Sequence, residues 1–437
     1  MSYYVIKGMK IIRKRISAAL CAFLLLTCGC EKIENERSSA VPTGEATEEA
    51  VVSQEAQSTQ AVEPVCATAE SSQETLEAQP LEPQPAEPQP VPEEFAVRLR
   101  EIRDECGIEG ISVALFKDKR IIHTANLGLA DREREIPADD NTRYRCASVS
   151  KLVTGMILMQ MYDEGLITPD TLLEEATGLP FGEDVRLWNI MTHTAGFVDS
   201  AAYLAAPKSY YTADYVLDNS KSGWKAGEIY SYTNCGAGMM GAVVEKLTGE
   251  FFHDYAKSFF DRIGMDAGYV IDRIEDRESA ANIYDFDGEV LRVSSWGRTS
   301  GYYERFGLGN SYLTAQCELI ITASDLARLG IALSGDGSFD GKQVISPEAV
   351  QLMNMVWFEA PEYYMGLDVR IYDNIIDGRE IHGHPGNALG SICGLYFDPA
   401  DGTGVAILTN RCSQAVCDNG VYRVIQETLE AAYEYCF

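Results

Sequence analysis

Basic residues are in short supply. The 437-residue chain has 36 Lys and Arg against 66 Asp and Glu, a formal net charge of −30. That deficit argues against nucleic acid as a partner, because binding to phosphate backbones depends on cationic side chains that displace counterions. Histidine is scarce too, at five, and none of the 12 cysteines forms a Cys-x-x-Cys pair. The usual zinc-ligand spacings are therefore missing, and no metal or cofactor is expected. No Gly-x-Ser-x-Gly elbow, phosphate-binding loop or dinucleotide fingerprint occurs. After residue 30 no apolar run approaches the roughly 20 residues that a membrane-spanning helix needs. What is present is a hydrophobic content of 46%, which excludes a wholly disordered chain, and enough length to bury a large core.

The charge is unevenly spread, and three zones follow from it. Residues 1–30 carry Lys7, Lys10, Arg13, Lys14 and Arg15 and no acid. Lys10 to Arg15 precede an apolar stretch from Ile16 to Thr27, the pattern of an export signal. Its end, Leu26-Thr27-Cys28-Gly29-Cys30, resembles a bacterial lipoprotein signal, which implies acylation of Cys30 after the small Gly29. An ordinary cleaved signal or a short uncleaved anchor is the alternative. Two acyl chains would hold the protein at the membrane surface, on the extracytoplasmic side. Residues 31–92 are rich in Glu, Gln, Ala, Ser, Thr and Pro, ending in the Pro-dense run Gln79 to Pro90. Such a stretch reads as a disordered, extended spacer with too few apolar side chains to offset the entropy of ordering.

Residues 93–437 form the working domain. Glu93 to Cys106 reads as an amphipathic helix stopped by Gly107. Ile111–Phe116 and Ile121–Leu129 read as strands joined by the polar turn Lys117 to Arg120. The middle is mostly helical in pattern. Strands return at Gly394–Phe397 and Val405–Leu408, and Gln414 to Tyr435 reads as a closing helix. Strands at both ends predict one antiparallel sheet built from the two terminal segments and flanked by helices, with a mainly helical subdomain inserted, an α+β sandwich. Cys393 and Cys412 could bridge the late hairpin; buried free thiols are the other possibility.

Ser-x-x-Lys occurs twice, as Ser148-Val149-Ser150-Lys151 and Ser222-Gly223-Trp224-Lys225. Ser148 opens an apolar helix running to about Glu164. Positions i and i+3 share a helix face, and the hydroxyl sits at the positive end of the helix dipole, where a developing anion is favoured. Ser222 lies in a polar turn and reads as structural. Tyr-x-Asn also occurs twice. Tyr232-Thr233-Asn234 precedes a helix from Gly238 to Thr248, whereas Tyr372-Asp373-Asn374 does not. His384-Pro385-Gly386 precedes the late strand pair. His382 and His384 share one side of a strand without an evident third ligand, so they read as structural, as does His193. Trp188 and Trp296 read as packing or pocket wall.

Ser-x-x-Lys, Tyr-x-Asn and His-x-Gly in this order resemble the signature of the serine β-lactamase and D,D-peptidase family. The tyrosine in the second element is similar to the branch with class C β-lactamases, D-alanyl-D-alanine carboxypeptidases and related esterases. Further stretches carry the likeness. Val113 to Asp118 resembles the family's first strand, and Cys146 to Lys151 its nucleophile helix. Met191-Thr192-His193-Thr194-Ala195-Gly196 resembles "LLTHTSG", Thr322 to Arg328 resembles "STAxDLAR", and Gly386 through Asn410 resembles the closing hairpin. The resemblance covers nearly all of 93–437.

The resemblance implies an acyl-enzyme on Ser148. Lys151, held neutral by desolvation, or Tyr232 would take the hydroxyl proton. Asn234 would orient Lys151 and bind the substrate amide. The backbone N–H groups of Ser148 and Asn387, on the strand after Gly386, would form the oxyanion hole. His384 stands where many relatives have lysine, and its near-neutral titration is expected to make activity pH-dependent. Small-molecule or peptide substrates are implied, including peptidoglycan stem peptides, D-amino-acid peptides, esters and β-lactams. Three departures bear on which. Pro385 lacks the hydroxyl common at that place, which argues against dedicated β-lactamase activity. Cys317-Glu318 replaces paired glycines, so a narrower, more acidic pocket wall is expected. Asn387 replaces a frequent glycine. A non-catalytic ligand- or penicillin-binding lipoprotein that kept the fold is the alternative reading.

Overall fold

The computed structural model describes residues 88–181, 184–205, 213–285, 287–292, 298–310 and 312–437. The export segment, Cys30, Trp296 and most of the spacer lie outside the described residues. Gln89–Pro90 (β1), at the end of the stretch expected to be spacer, pairs in parallel with His123 and Thr124. Glu93–Glu105 (α1) follows, then Gly110–Lys117 (β2) and Arg120–Asp131 (β3). Asp118 and Lys119 both take positive φ, 52° and 60°, the two-residue turn whose twist matches a hairpin.

The helices that matter next are Val149–Asp163 (α2), Asn234–Thr248 (α3), Phe252–Ile263 (α4) and Ala323–Ser334 (α5). The chain then returns to strands: Phe358–Glu359 (β4), Tyr364–Met365 (β5), Arg370–Tyr372 (β6), Ile381–Ala388 (β7), Ser391–Asp398 (β8) and Thr403–Thr409 (β9). Arg423–Tyr435 (α6) closes it. The sheet order is β1-β3-β2-β9-β8-β7-β6-β5-β4, with Ile136–Pro137 paired to β3 off this path. Apart from the β1–β3 pair, every neighbour in that path is antiparallel. The N-terminal hairpin thus joins the C-terminal strands through β2 and β9, as the sequence predicts.

Strand alternation builds two cores. Val113, Leu115, Val405 and Ile407 face the layer containing Phe95 and Leu99 of α1 and Leu429 of α6. Ala114, Phe116, Ala406 and Leu408 face the other way, into the core that holds α2, α3 and α5. Period-two side-chain placement gives both faces of one sheet to apolar cover. Within the second core α2 is buried almost all round, as a helix apolar on every face must be.

Two helix boundaries depart from expectation. The closing helix starts at Arg423, not Gln414. Asn419-Gly420 makes a turn there, with Gly420 at φ 83° and the Asn419 Oδ1 accepting from the Val421 N–H at 3.1 Å. The helix after Tyr232 starts at Asn234, four residues before Gly238. The Asp199 carboxylate, distant in sequence, accepts from the N–H groups of Asn234 and Cys235, each at 3.0 Å. An acceptor at a helix N-terminus satisfies donors that otherwise have none, and so helix extends through the weak formers Gly236 and Gly238.

Candidate active site

Ser148 is set at the tip of a strained turn. Arg143–Arg145 pairs with Ile320–Thr322, and Cys146 N–H donates to the Leu319 carbonyl at 2.8 Å. The chain then turns through Ala147 at φ 49°, a left-handed conformation that costs a residue with a Cβ some strain. The Ser150 hydroxyl braces it, donating to the Ala147 carbonyl at 2.6 Å and accepting from the Leu319 N–H at 3.0 Å. Ser148 is half-buried at the mouth of α2. Among the described residues its own N–H has no hydrogen-bond partner.

Lys151 follows one turn later with its side chain fully buried. Its Nζ lies 3.1 Å from Ser148 Oγ, 3.0 Å from Asn234 Oδ1 and 3.0 Å from the Gln316 carbonyl. The two carbonyl oxygens can only accept, so they take two N–H bonds and leave the third position of the nitrogen facing the serine. Asn234 is oriented in turn by Asp199 Oδ2, which accepts from its Nδ2 at 3.0 Å. Sequence reasoning missed Asp199 and Gln316; both reach the site only through the fold.

Tyr232 packs among cations and rings. Lys151 Nζ and Arg370 Cζ each lie 5.2 Å from its ring centroid, within cation–π range. The His193 ring is 4.4 Å away and the His384 ring 6.3 Å. Among the described residues no hydrogen bond joins the Tyr232 hydroxyl to Ser148 or Lys151. His193, at φ 57°, holds the loop: its carbonyl accepts from Ser231 N–H at 2.8 Å and its Nδ1 from Thr233 N–H at 3.4 Å.

Strand β7 forms the other wall. Gly386 passes so close to the nucleophile turn that a Cβ there would fall well inside contact distance of the Cys146 carbonyl oxygen, and 3.2 Å from Val149 Cγ2. This holds β7 against the nucleophile turn at the residue before Asn387. The Asn387 side chain is drawn off to Gln414 and, at 2.7 Å, to the Tyr422 hydroxyl.

His384 behaves otherwise than expected. It is completely buried, and its pKa is pushed well below the usual histidine value by burial and by the charges of Arg370 and Lys151. It stays neutral through the neutral range. Its Nδ1–H donates to the Pro385 carbonyl at 2.6 Å, so Nε2 carries the lone pair, and that atom has no partner. The expected acidic wall is also neutralised. Glu318 is buried between Arg145, at 3.0 Å, and Arg298, at 3.4 Å.

The remaining residues stay outside the cleft chemistry. The Ser222 hydroxyl donates to the Gly196 carbonyl at 2.7 Å as part of a turn, and Tyr372 belongs to the core behind the sheet. His382 has both ring nitrogens engaged, by Asn354 at 2.8 Å and Glu380 at 3.0 Å. Trp188 stacks on Trp357 with centroids 5.9 Å apart. Cys393 and Cys412 do not bridge; the Cys393 sulfur lies 3.9 Å from the Arg145 carbonyl oxygen and 3.7 Å from that of Thr409.

Two charged groups near the site carry no sequence signal. Arg370, on β6 opposite Gly383, is stacked between Tyr232 and Tyr363, its Cζ 4.6 Å from the latter's centroid. Asp368 is fully buried against Gly155 of α2, with neither carboxylate oxygen hydrogen-bonded. Burial pushes its pKa well above the ordinary carboxylate value, opposed by the charge of Lys151.

Known proteins share this fold. A penicillin-binding protein 4 of Amycolatopsis lactamdurans is 23% identical over 336 residues, covering 72% of this chain and 84% of its own. A class C β-lactamase of Rhodobacter sphaeroides superposes with a TM-score of 0.62 at 18% identity, over 78% of this chain and 99% of its own. A D-amino acid amidase of Ochrobactrum anthropi SV3 superposes with a TM-score of 0.61 at 18% identity, over 78% and 99%. The family described as Beta-lactamase matches residues 95–430, nearly the whole folded domain, and the chain belongs to that family.

Proposed function

We propose that this chain is a serine hydrolase that works through an acyl-enzyme on Ser148, on short amide or ester substrates ending in a carboxylate, D-amino-acid peptides first among them. The observation that carries the reading is the threefold placement of Lys151 Nζ on Ser148 Oγ, Asn234 Oδ1 and the Gln316 carbonyl. Once deprotonated, an amine that keeps its two N–H bonds to the carbonyls turns its lone pair to the serine hydroxyl, and in that form Lys151 is the base. Ser148 Oγ attacks the carbonyl carbon as Lys151 takes its proton. The oxyanion is met by the N–H groups of Ser148 and Asn387; in other hydrolases one such donor is worth about 10²–10³ in rate. Tyr232, flanked by Lys151 and Arg370, relays the proton to the leaving group. Water then releases the acyl group.

Substrate class rests on Arg370. A half-buried guanidinium that meets aromatic rings and leaves its Nε without a partner suits an anion, and it supplies what the missing hydroxyl of Pro385 would have supplied. This favours a peptidase or esterase over a dedicated β-lactamase, in keeping with an amidase and a penicillin-binding protein among the similar proteins. The acylated Cys30 and the spacer of residues 31–92 would tether the domain outside the cell membrane.

The test is mass spectrometry after exposure to a fluorophosphonate or a penicillin, followed by rates on nitrocefin, a p-nitrophenyl ester and a D-Ala-D-Ala peptide. One adduct on Ser148, lost in Ser148→Ala and slowed 10²-fold or more in Lys151→Gln, is expected from the scale of general-base catalysis, about 10²–10⁴. Absence of any adduct would transfer the chain to the non-catalytic, ligand-binding reading.

A further inference from the structure

The first turn of α4 holds a histidine that nothing in the fold accounts for. His253 is 0% exposed, and neither Nδ1 nor Nε2 has a hydrogen-bond partner. Its ring is fixed by stacking on Phe251, with centroids 5.5 Å apart and planes 13° apart. Nε2 is aimed at two carboxylates, 3.6 Å from Asp254 Oδ2 and 3.5 Å from Glu304 Oε1. One ligand atom from each of the three residues lies within 4.8 Å of the others. None of the three belongs to the candidate active site.

These separations are too long for hydrogen bonds and suit a shared cation. Ligands about 2.0–2.2 Å from a tetrahedral zinc stand about 3.4 Å from one another. An imidazole with two carboxylates is a donor set for a first-row divalent ion, with water in the fourth place. The surroundings agree. Arg273 Nε donates to Asp254 Oδ1 at 2.7 Å, the oxygen not aimed at His253. That is how an outer partner orients a ligating carboxylate. Arg273 Nη2 lies 4.0 Å from Glu304 Oε1, and Nη1 lies 3.6 Å from Asp272 Oδ2. Asp272 in turn accepts from the Ser300 N–H and hydroxyl at 2.8 and 2.7 Å. Asp254, Asp272 and Glu304 set against Arg273 leave a formal excess of two negative charges, which a divalent cation balances.

We propose that His253, Asp254 and Glu304 form a zinc-type divalent cation site. It ties the start of α4 to the short helix Ser300–Glu304, and its role is structural. Asp254 and Glu304 are 38% and 39% exposed at the side chain, which gives the ion a way in from solvent.

The test uses the full-length protein, stripped with a chelator and titrated with Zn²⁺ by calorimetry and with Co²⁺ by visible absorption. One saturable equivalent is expected, with the d–d bands of a tetrahedral site. Zn²⁺ at a hundredfold excess over its dissociation constant should raise Tm by about 5 °C. Glu304→Gln, a partly exposed position, should weaken binding at least 10-fold and abolish the Tm rise; Asp254→Asn should do the same. Binding left unchanged by both substitutions would place the ion elsewhere on this acidic chain and overturn the proposal. So would the absence of saturable binding in the wild type.

Discussion

The guanidinium of Arg370 lies over the ring of Tyr232, Cζ to centroid 5.2 Å, and among the described residues no carboxylate or carbonyl pairs with it. Tyr363 covers its other side at 4.6 Å. A cation drawn partly out of water is costly unless something polar meets it, and the Arg370 Nε is buried without a partner. Here the aromatic faces offset part of that cost, and the remainder is available to a bound anion. Arg370→Gln should therefore lower kcat/KM by at least 10-fold on a peptide with a free C-terminal carboxylate. The same peptide capped as an amide should change by less than about threefold, since a paired charge is worth more than a neutral contact. Equal losses on both substrates would instead make Arg370 a support for Tyr232 and remove the argument for an anionic substrate.

Gly386 tests the geometry of the opposite wall. Its Cα faces Cys146, Ala147 and Val149 with no room for a side chain. Gly386→Ala must push β7 away from the nucleophile turn, and Asn387 moves with it. Loss of one oxyanion donor predicts a fall of about 10²–10³ in the acylation rate. The Ser148–Lys151 pair sits on α2 and should survive, so slow labelling of Ser148 persists. Rapid-quench labelling of the variant with a penicillin measures it; a rate within threefold of wild type would remove Asn387 from the oxyanion hole.

How much of this was legible in the sequence follows the range of each interaction. Ser148 and Lys151 are one helical turn apart, and the strands β2, β3, β8 and β9 carry their own alternation, so local pattern was enough. Asn234 was legible as part of a motif, but Asp199, which positions it, has no local mark. Arg370 and Asp368 come to the site on β6 and the turn before it, by sheet order alone. The state of His384 is not legible because an isolated residue gives no sign of its burial or of the nearby charges of Arg370 and Lys151. The start of α6 is not legible because Asn419-Gly420 turns the chain inside an otherwise helical composition.

His384 gives a pH prediction with a definite sign. Burial and the Arg370 and Lys151 charges depress its folded pKa, and burial does the same for His193. A depressed pKa means that the unfolded chain takes up these protons first. The stability contribution is full above the unfolded value of about 6.5 and falls by about 1.4 kcal/mol per pH unit per histidine as pH drops below it. Tm should decline on acidification from pH 6.5, and His384→Asn should soften the decline. Activity should show no limb between pH 6 and 7 that His384→Asn removes. Paired pH profiles of kcat/KM for wild type and variant decide it; a limb present only in the wild type would restore the titrating histidine.

Asp368 runs in the opposite direction. Its folded pKa is raised by burial, against the pull of Lys151, so the folded protein holds this proton more tightly than the unfolded chain. Stability from this group is complete below the unfolded pKa of about 3.9 and is lost, at about 1.4 kcal/mol per pH unit, as pH rises toward the folded value. As pH rises the native carboxyl is therefore a liability, buried beside Gly155 with no partner for either oxygen. Asparagine has the same shape and no charge to lose. Asp368→Asn should match the wild type near pH 4 and exceed it increasingly toward pH 7, in thermal or denaturant unfolding. The difference should grow at the upper end of the range when Lys151 is also replaced by Met, because the charge that holds the folded pKa down is gone and the loss of stability runs on to higher pH. A variant that falls further below the wild type as pH rises from 4 toward 7 would mean instead that the fold favours the ionised carboxylate.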